Sequence, residues 1–350
     1  MPWQYAIAIA ATFSCIAGCG DVKTPARKPF AVEGQVARHG DWAVGCDNLS
    51  RCTAIGVPAI QTQTNMPYEM ALIYQVEGGL GAIGTMTMLP MAKTIVDDIE
   101  LFQIGNLPSD RGRRYRFTYE PRRLPPESGF ELRKMMSAGE AIIGINDKSE
   151  APRVRFPQNG YTKIDQAITN QRTKYQSRRK QSVEPQAETL ELVSASEGVR
   201  QDALRDMREG LPCDLDSIPS PPIVYTLADG TRLVALNCNR LSRNSLTHWY
   251  QYDEQNAEPF RVVLPEPRGN VPAAIDGLYN STFDPDSSIL QSVAFSGSEG
   301  DCGILRRWAT TVNGWQLVER REMPFCGRGI ARAYWIRTYR AENVGGRWLE

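Results

Sequence analysis

Leu305-Arg306-Arg307-Trp308-Ala309-Thr310-Thr311-Val312, then Asn313-Gly314, then Trp315-Gln316-Leu317-Val318-Glu319-Arg320 is the stretch that decides the fold class. Two runs of alternating apolar and polar character flank an Asn-Gly pair, whose tolerance of positive φ gives a turn with the twist of a strand pair. A β-hairpin follows. Asp229-Gly230 separates the runs Ile223 to Leu227 and Arg232 to Cys238 in the same way, and further runs lie at Leu246 to Tyr252, Phe260 to Leu264, Ile289 to Phe295 and Ala333 to Tyr339. No strand-helix-strand rhythm interrupts them, so residues 211–350 are expected to form an antiparallel meander or partial barrel.

The amino-terminal half speaks the same language in shorter phrases. Ala43 to Cys46, Met70 to Val76, Ala82 to Leu89, Arg114 to Tyr119, Ala141 to Ile145 and Val154 to Phe156 alternate with period two, which means strands. Gly78-Gly79, Asn106 to Gly112, Pro125-Pro126 and Asn159-Gly160 punctuate them as turns, and the economical solution over residues 41–180 is an antiparallel β-sandwich. Ile164, Ala167, Ile168 and Tyr175 recur at helical spacing, predicting a helix over Tyr161 to Gln176. Residues 181–210 are expected to be a linker with one short helix, apolar at Val199, Ala203, Leu204 and Met207, capped by Gly210 and stopped by Pro212. The fold class is therefore mainly β, two antiparallel bodies with a few short helices between them.

The totals exclude several functions. With 350 residues there is room for two compact domains, and 41% hydrophobic residues at a mean hydropathy of −0.38 fit neither a disordered chain nor a multi-span membrane protein. Lys+Arg and Asp+Glu both number 40, so no global field draws the chain to nucleic acid. Tyr5 to Cys19 carries no charge and holds an apolar run of signal-peptide length, ending in Ile16-Ala17-Gly18-Cys19. Those four residues resemble a lipobox, in which the cysteine thiol accepts a lipid and becomes the first mature residue. Residues 1–19 are then a lipoprotein signal peptide with Cys19 lipidated, and residues 20–40, broken by Pro25 and Pro29, a tether. Met1 to Gln4 offer no Lys or Arg, a departure from the usual basic start. The expected location is the periplasmic side of a bacterial cell envelope, held by the lipid; ordinary signal cleavage would leave a soluble periplasmic protein instead.

Six cysteines remain after Cys15 and Cys19, and they fall into local couples. Fifteen pairings are possible for six thiols, but spacing favours Cys46 with Cys52, Cys213 with Cys238 and Cys302 with Cys326, with crossed pairings open among the last four. Such staples point to an oxidising compartment. Zinc is the competing use; no Cys-x-x-Cys occurs, and His39 and His248 lack ligand spacing, so no metal is expected.

Asp41-Trp42-Ala43-Val44-Gly45-Cys46-Asp47-Asn48, Arg51-Cys52-Thr53-Ala54, Leu211-Pro212-Cys213, Gly300-Asp301-Cys302-Gly303 and Met323-Pro324-Phe325-Cys326, with Trp308 and Trp315, resemble the proteobacterial exported family catalogued as domain of unknown function 1176. The resemblance covers most of residues 40–340 and implies location and architecture; it brings no catalytic residue, cofactor or activity. The first half also resembles the invasion-associated locus B family through Asp41-Trp42 to Cys52, Leu89-Pro90 to Leu107-Pro108 and Ala138-Gly139-Glu140 to Ile168, which implies a β-sandwich in the envelope and, in some members, a surface or host-contact role.

No catalytic constellation stands out. Nucleophilic catalysis needs a nucleophile, a base in reach and a group orienting that base. His248 sits within a strand pattern, His39 in the tether, and Cys302 of Gly300-Asp301-Cys302-Gly303 offers no thiolate once it is in a disulfide. The carboxylates Asp97-Asp98-Glu100 and Asp214-Asp216 are expected to be solvated surface acids, and Gly78 to Gly84 leads into a strand and not into a phosphate-binding helix. The most distinctive surface feature is Arg111-Gly112-Arg113-Arg114-Tyr115-Arg116, continued by Tyr119, Arg122 and Arg123. Guanidinium forks match phosphate and carboxylate, and tyrosines add stacking faces, so this hairpin is the candidate surface for an anionic envelope glycan or lipid. Its bland alternative is a solvated turn whose arginines pair with Asp110 and Glu120. The expectation is a non-enzymatic binding or structural module of the envelope, with no cofactor, no nucleic acid and no protein partner that the sequence can name; the alternative is a periplasmic hydrolase or inhibitor using a cleft between the two bodies.

Overall fold

Most alternating runs of the carboxy-terminal half become strands, though Phe260 to Leu264 is broken after Arg261 and Ala333 to Tyr339 is extended only from Ile336, after a 3-10 turn at Arg332–Tyr334. In the computed structural model of the chain, Thr282–Asp284, Ile289–Phe295, Gly303–Thr311, Gly314–Met323 and Ile336–Arg340 follow one another in chain order across a five-stranded antiparallel meander, the C-terminal sheet. The structure describes residues 34–59, 68–77, 84–91, 101–104, 115–116, 121–140, 143–146, 154–179, 192–194, 199–209, 221–227, 230–240, 243–253, 258–268, 271–275, 277–311 and 314–341, with Ala82, Leu211 and Cys213. Gly314 opens its strand at φ +91°, the conformation for which the Asn-Gly turn selects glycine. A second sheet of six strands, the middle sheet, is built from Leu192–Ser194, Ile223–Leu227, Arg232–Arg240, Ser245–Tyr252 and Phe260–Arg261, with Gly277–Tyr279 added on Ser245–Tyr252. Leu264–Arg268 and Val271–Ile275 form a separate two-stranded hairpin. Among the described residues neither sheet closes into a barrel.

The N-terminal sheet has ten strands. Ala37–His39, Trp42–Cys46, Cys52–Gly56 and Tyr68–Val76 are consecutive neighbours, and Val154–Arg155, Ile143–Asn146, Leu101–Ile104 and Tyr115–Arg116 extend them. Thr85–Pro90 branches from Tyr68–Val76 and carries Arg122–Arg123. Among the described pairings only Val154–Arg155 with Tyr68 and Glu69 is parallel.

Period two then decides what each sheet covers. On the N-terminal sheet Trp42, Val44, Leu72, Tyr74 and Met88 point one way and bury Leu132, Met135 and Met136 of helix α1 (Pro126–Ser137) and Tyr161, Ile164 and Ile168 of helix α2 (Tyr161–Arg179). Ala43, Ile55, Ala71, Ile73 and Leu89 point the other way, onto Val293, Leu305, Met323, Phe325 and Ile336 of the C-terminal half. The far face of the C-terminal sheet presents Leu290, Trp308, Leu317 and Tyr339 to Leu233, Ala235 and Trp249 of the middle sheet. The middle sheet buries Val234, Leu236, Tyr250 and Tyr252 under Ala203, Leu204 and Met207 of helix α3 (Gln201–Glu209). The order of layers is α1 with α2, N-terminal sheet, C-terminal sheet, middle sheet, α3.

This stack corrects the expected organisation in four places. The sandwich expected over residues 41–180 exists, but its second sheet comes from residues 282–340, because the runs are apolar on both faces: Trp42–Cys46 and Cys52–Gly56 are buried throughout. The first strand, Ala37–His39, starts inside the expected tether, where it pairs with Trp42 to Val44. The expected linker 181–210 contributes the strand Leu192–Ser194, paired with Ile223–Leu227, besides α3. Helix α1 occupies the place where Pro125-Pro126 was expected to make a turn; Pro126 stands at the first helical position, where its missing N–H costs nothing, and Glu127 follows in the first turn. The two inner sheets approach closely where residues are small. A Cβ added to Gly45 would lie 2.7 Å from Cγ2 of Ile336, so glycine is required there by contact.

Candidate functional site

The sequence-derived site residues scatter. Cys19, Arg111, Arg113, Arg114 and Tyr119 lie outside the described residues. Tyr115 and Arg116 pair with Phe102 and Leu101, whereas Arg122 and Arg123 are exposed and pair with Met88 and Thr87, so the two described parts of the arginine run belong to different strand pairings. Asp97, Asp98, Glu100, Asp214 and Asp216 also lie outside the described residues.

All six body cysteines are in disulfides: Cys46–Cys52, Cys213–Cys238 and Cys302–Cys326, with Cα atoms 4.0, 5.4 and 4.9 Å apart. The first joins register partners of adjacent strands and closes a tight turn. Asp47 organises that turn: its Oδ1 accepts the N–H groups of Leu49 and Arg51, both at 2.9 Å. Asp47 is only 4% exposed, and its Oδ2 has no hydrogen-bond partner among the described residues. Burial pushes its carboxyl up to about 6, against the pull of those N–H groups and of the Arg51 and Arg337 guanidiniums. Near the third disulfide, Asp301 accepts the backbone N–H groups of Gly327, Arg328 and Gly329, fixing the loop after Cys326. Partial burial opposes its ionisation, yet those three donors hold it below the ordinary carboxylate range.

His248 does not reach solvent. It is 3% exposed on the α3 side of the middle sheet, and its imidazole lies within 4.8 Å of the sulfurs of Cys213 and Cys238, the disulfide that ties the segment after α3 to the sheet. The fold thus brings together two cysteines and a histidine that no ligand spacing announced, with both sulfurs already committed to each other.

The densest polar chemistry lies on the C-terminal sheet. Glu319, 1% exposed, receives Arg321 and Arg337 on Oε1 at 2.7 and 3.0 Å and Arg307 on Oε2 at 3.0 Å. Burial opposes the charge of Glu319, but the guanidiniums of Arg321, Arg337 and Arg307 outweigh it and hold the carboxyl below its usual range. On the opposite face Glu266, from the Leu264–Arg268 strand, takes Arg306 at 2.6 Å and Arg320 at 3.7 Å. Local arginine density could not reveal either cluster, since each is assembled across strand pairings; the one signal in the sequence is Glu319-Arg320-Arg321-Glu322, alternating charge inside an otherwise apolar strand run.

A family model described as a protein of unknown function, DUF1176, matches residues 158–342, which hold α2, α3, the middle sheet and the C-terminal sheet. An uncharacterized protein of Escherichia coli K12, YpfG, is 28% identical over 120 residues, 33% of this chain and 34% of that protein, so the chain spans about a third of the length of that relative. No solved structure matches. With more than half of its length matched by that model, the chain belongs to the DUF1176 family of proteins of unknown function.

Proposed function

We propose that the chain is an exported, lipid-anchored protein of the bacterial cell envelope that acts by binding and not by catalysis. The observation that carries this is the use of every cysteine after Cys19 in a disulfide, a pattern suited to an oxidising compartment and one that leaves no thiolate nucleophile in the body. The burial of His248 adds support, since a general base must meet its substrate. The surface between the N-terminal and C-terminal sheets is a packed apolar core of Ile73, Leu305, Met323 and Ile336, which favours a static assembly over a cleft enzyme. The arginine-rich segment 111–123 is the proposed contact for an anionic envelope glycan or lipid. The test is expression of the full chain in a Gram-negative host: an acylated mature protein beginning at Cys19 and partitioning into detergent is the expected product, and a water-soluble product starting elsewhere removes the anchor. Replacing Arg113, Arg114 and Arg116 by Ser is expected to weaken lipopolysaccharide binding while changing thermal stability little, exposed ion pairs contributing about 0–1 kcal/mol each; unchanged binding removes the segment from the function.

A further inference from the structure

The disulfide Cys213–Cys238 differs from the other two in what lies beside it. Leu236 and His248 are register partners on neighbouring strands of the middle sheet, and Cys238, two residues beyond Leu236, points to the same face. Asn237 and Thr247 pair on the opposite face, where the Thr247 hydroxyl donates to Asn237 Oδ1 at 2.7 Å and locks the register. Gly277 is the register partner of His248 on its other side. A Cβ there would lie 3.2 Å from Cε1 of the imidazole, so the missing side chain leaves the ring its place. Cys213 is joined to this face from the segment after α3.

The Sγ atoms of Cys213 and Cys238 and a ring nitrogen of His248 all lie within 4.8 Å of one another, and among the described residues no other set of three cysteine, histidine or carboxylate ligand atoms is gathered in this way. Four-coordinate zinc needs its ligand atoms about 3.6–3.8 Å apart, at Zn–S and Zn–N distances of about 2.3 and 2.0 Å. With Cα atoms 5.4 Å apart, the two sulfurs, once unbonded, reach that spacing by side-chain rotation. An imidazole has two nitrogens, so one ligates while the other keeps a neighbour, as ligating histidines do. The frame does not depend on the S–S bond. Helix α3 is packed on the sheet through Ala203, Leu204 and Met207, and the Tyr250 hydroxyl donates to the Met207 carbonyl at 2.9 Å. Cys238 is fully buried and Cys213 half-buried, so reagents and ions arrive on the Cys213 side.

We infer that Cys213, Cys238 and His248 form a redox-gated binding site for a zinc-type divalent cation, closed as the disulfide and open as the dithiol. A protein dithiol opens it by exchange: its thiolate attacks Sγ of Cys213, Cys238 departs as a thiolate, and the second thiol of the reductant closes on the first, so two S–H groups form here as one S–S bond forms there. Loading releases both thiol protons and makes two metal–sulfur bonds and one metal–nitrogen bond, with the fourth position left to water. A disulfide oxidant reverses it: the two sulfurs rejoin, the cation leaves, and the oxidant takes up two electrons and two protons as a dithiol. The site goes beyond the proposed function, since neither the anchor nor the segment 111–123 takes part in it.

The test is zinc uptake by the purified full-length protein before and after reduction with a phosphine, which breaks the S–S bond and becomes the phosphine oxide, with water supplying oxygen and protons. Tight zinc bound only after reduction is expected, and cobalt(II) in its place is expected to give sulfur-to-metal charge-transfer absorption. X-ray absorption of the zinc form is expected to show two sulfurs and one imidazole nitrogen around the metal. Replacing Cys213 and Cys238 together by Ser is expected to abolish tight uptake, and His248→Leu to weaken it about tenfold or more, whereas the protein with Cys302 and Cys326 replaced by Ser takes up zinc as wild type does. No zinc in the reduced wild type, folded or not, overturns the inference, as does uptake unchanged by His248→Leu or a metal environment without the imidazole. If a variant does not fold, the X-ray absorption of the wild type decides alone.

Discussion

The two faces of the N-terminal sheet are covered in opposite ways. One face, with Trp42, Leu72 and Met88, is roofed by α1 and α2, elements close by in sequence, and large side chains fill the space, including an edge-on contact of Trp42 with Tyr161 at 5.1 Å. The other face, with Ala43, Gly45 and Ala71, is built of smaller residues and meets strands some 200–300 positions further along the chain. Bulk on the first face suits a helix standing off the sheet; small residues on the second let two sheets and the Ile336–Arg340 strand come close. The family model begins at residue 158, so the matched segment supplies both coverings, α2 on one side and the C-terminal sheet on the other.

The strongest way to break this comparison is to cut the chain. A fragment of residues 34–180 and a fragment of residues 211–341 are each expected to expose one side of the Ile73–Leu305–Ile336 core, to bind hydrophobic dyes and to lose cooperative unfolding. A soluble monomeric 34–180 fragment that melts sharply would show that the inner face needs no cover. The next effect is smaller and comes from neighbours in one strand. Leu72→Ala and Ile73→Ala, both at positions with 0% exposure, should each cost about 2–5 kcal/mol. Hydrogen exchange separates them: Leu72→Ala should loosen α1 and α2, and Ile73→Ala should loosen Gly303–Thr311 and Ile336–Arg340. Identical exchange maps would mean that the faces are not independent.

The third test sharpens the corner where the inner faces meet. The folded chain keeps Asp47 protonated up to about pH 6, above its ordinary 3.8, so between those values the folded state binds more protons than the unfolded one. Its contribution is therefore fully present below the lower value and lost as pH rises through the higher, an effect of about 3 kcal/mol at ~1.4 kcal/mol per unit. Asp47→Asn keeps an acceptor for the Leu49 and Arg51 N–H groups and removes the charge. The stability of that variant relative to wild type should rise by up to this amount from about pH 4 to about pH 7 in denaturant titrations. A constant difference would show that the buried carboxyl is not proton-linked to folding.

Much of this architecture was legible in the residues. Ile223–Leu227 and Ile289–Phe295 follow their alternating runs to the residue, and the helical spacing of Ile164 and Ile168 found α2. Helix α1 escaped because proline is both a turn residue and a first-position helix residue, and because Ser128 and Gly129, buried against the sheet, look like turn chemistry in isolation. The shared core escaped for a different reason: alternation says that a face is apolar without saying what covers it. The Glu319 cluster was invisible because its members come from positions 307, 319, 321 and 337, brought together by strand register. Local density drew attention to the segment 111–123 in its place.

The pairing of the cysteines has a consequence for how the molecule is made. Each disulfide joins the next two cysteines in chain order after Cys19, at separations of 6, 25 and 24 residues. A chain that emerges amino terminus first therefore presents each partner soon after the other, and an oxidant that simply joins thiols as they appear reaches the native set without a shuffling step. The covering of the first sheet cannot be so prompt, since Ile336 must arrive before Ala43 and Ile55 find their partner. Crosslinking is a vectorial event and packing a terminal one, and in the interval between them the half-made protein is a correctly bonded chain with an open apolar face, the state in which a holding chaperone would find it.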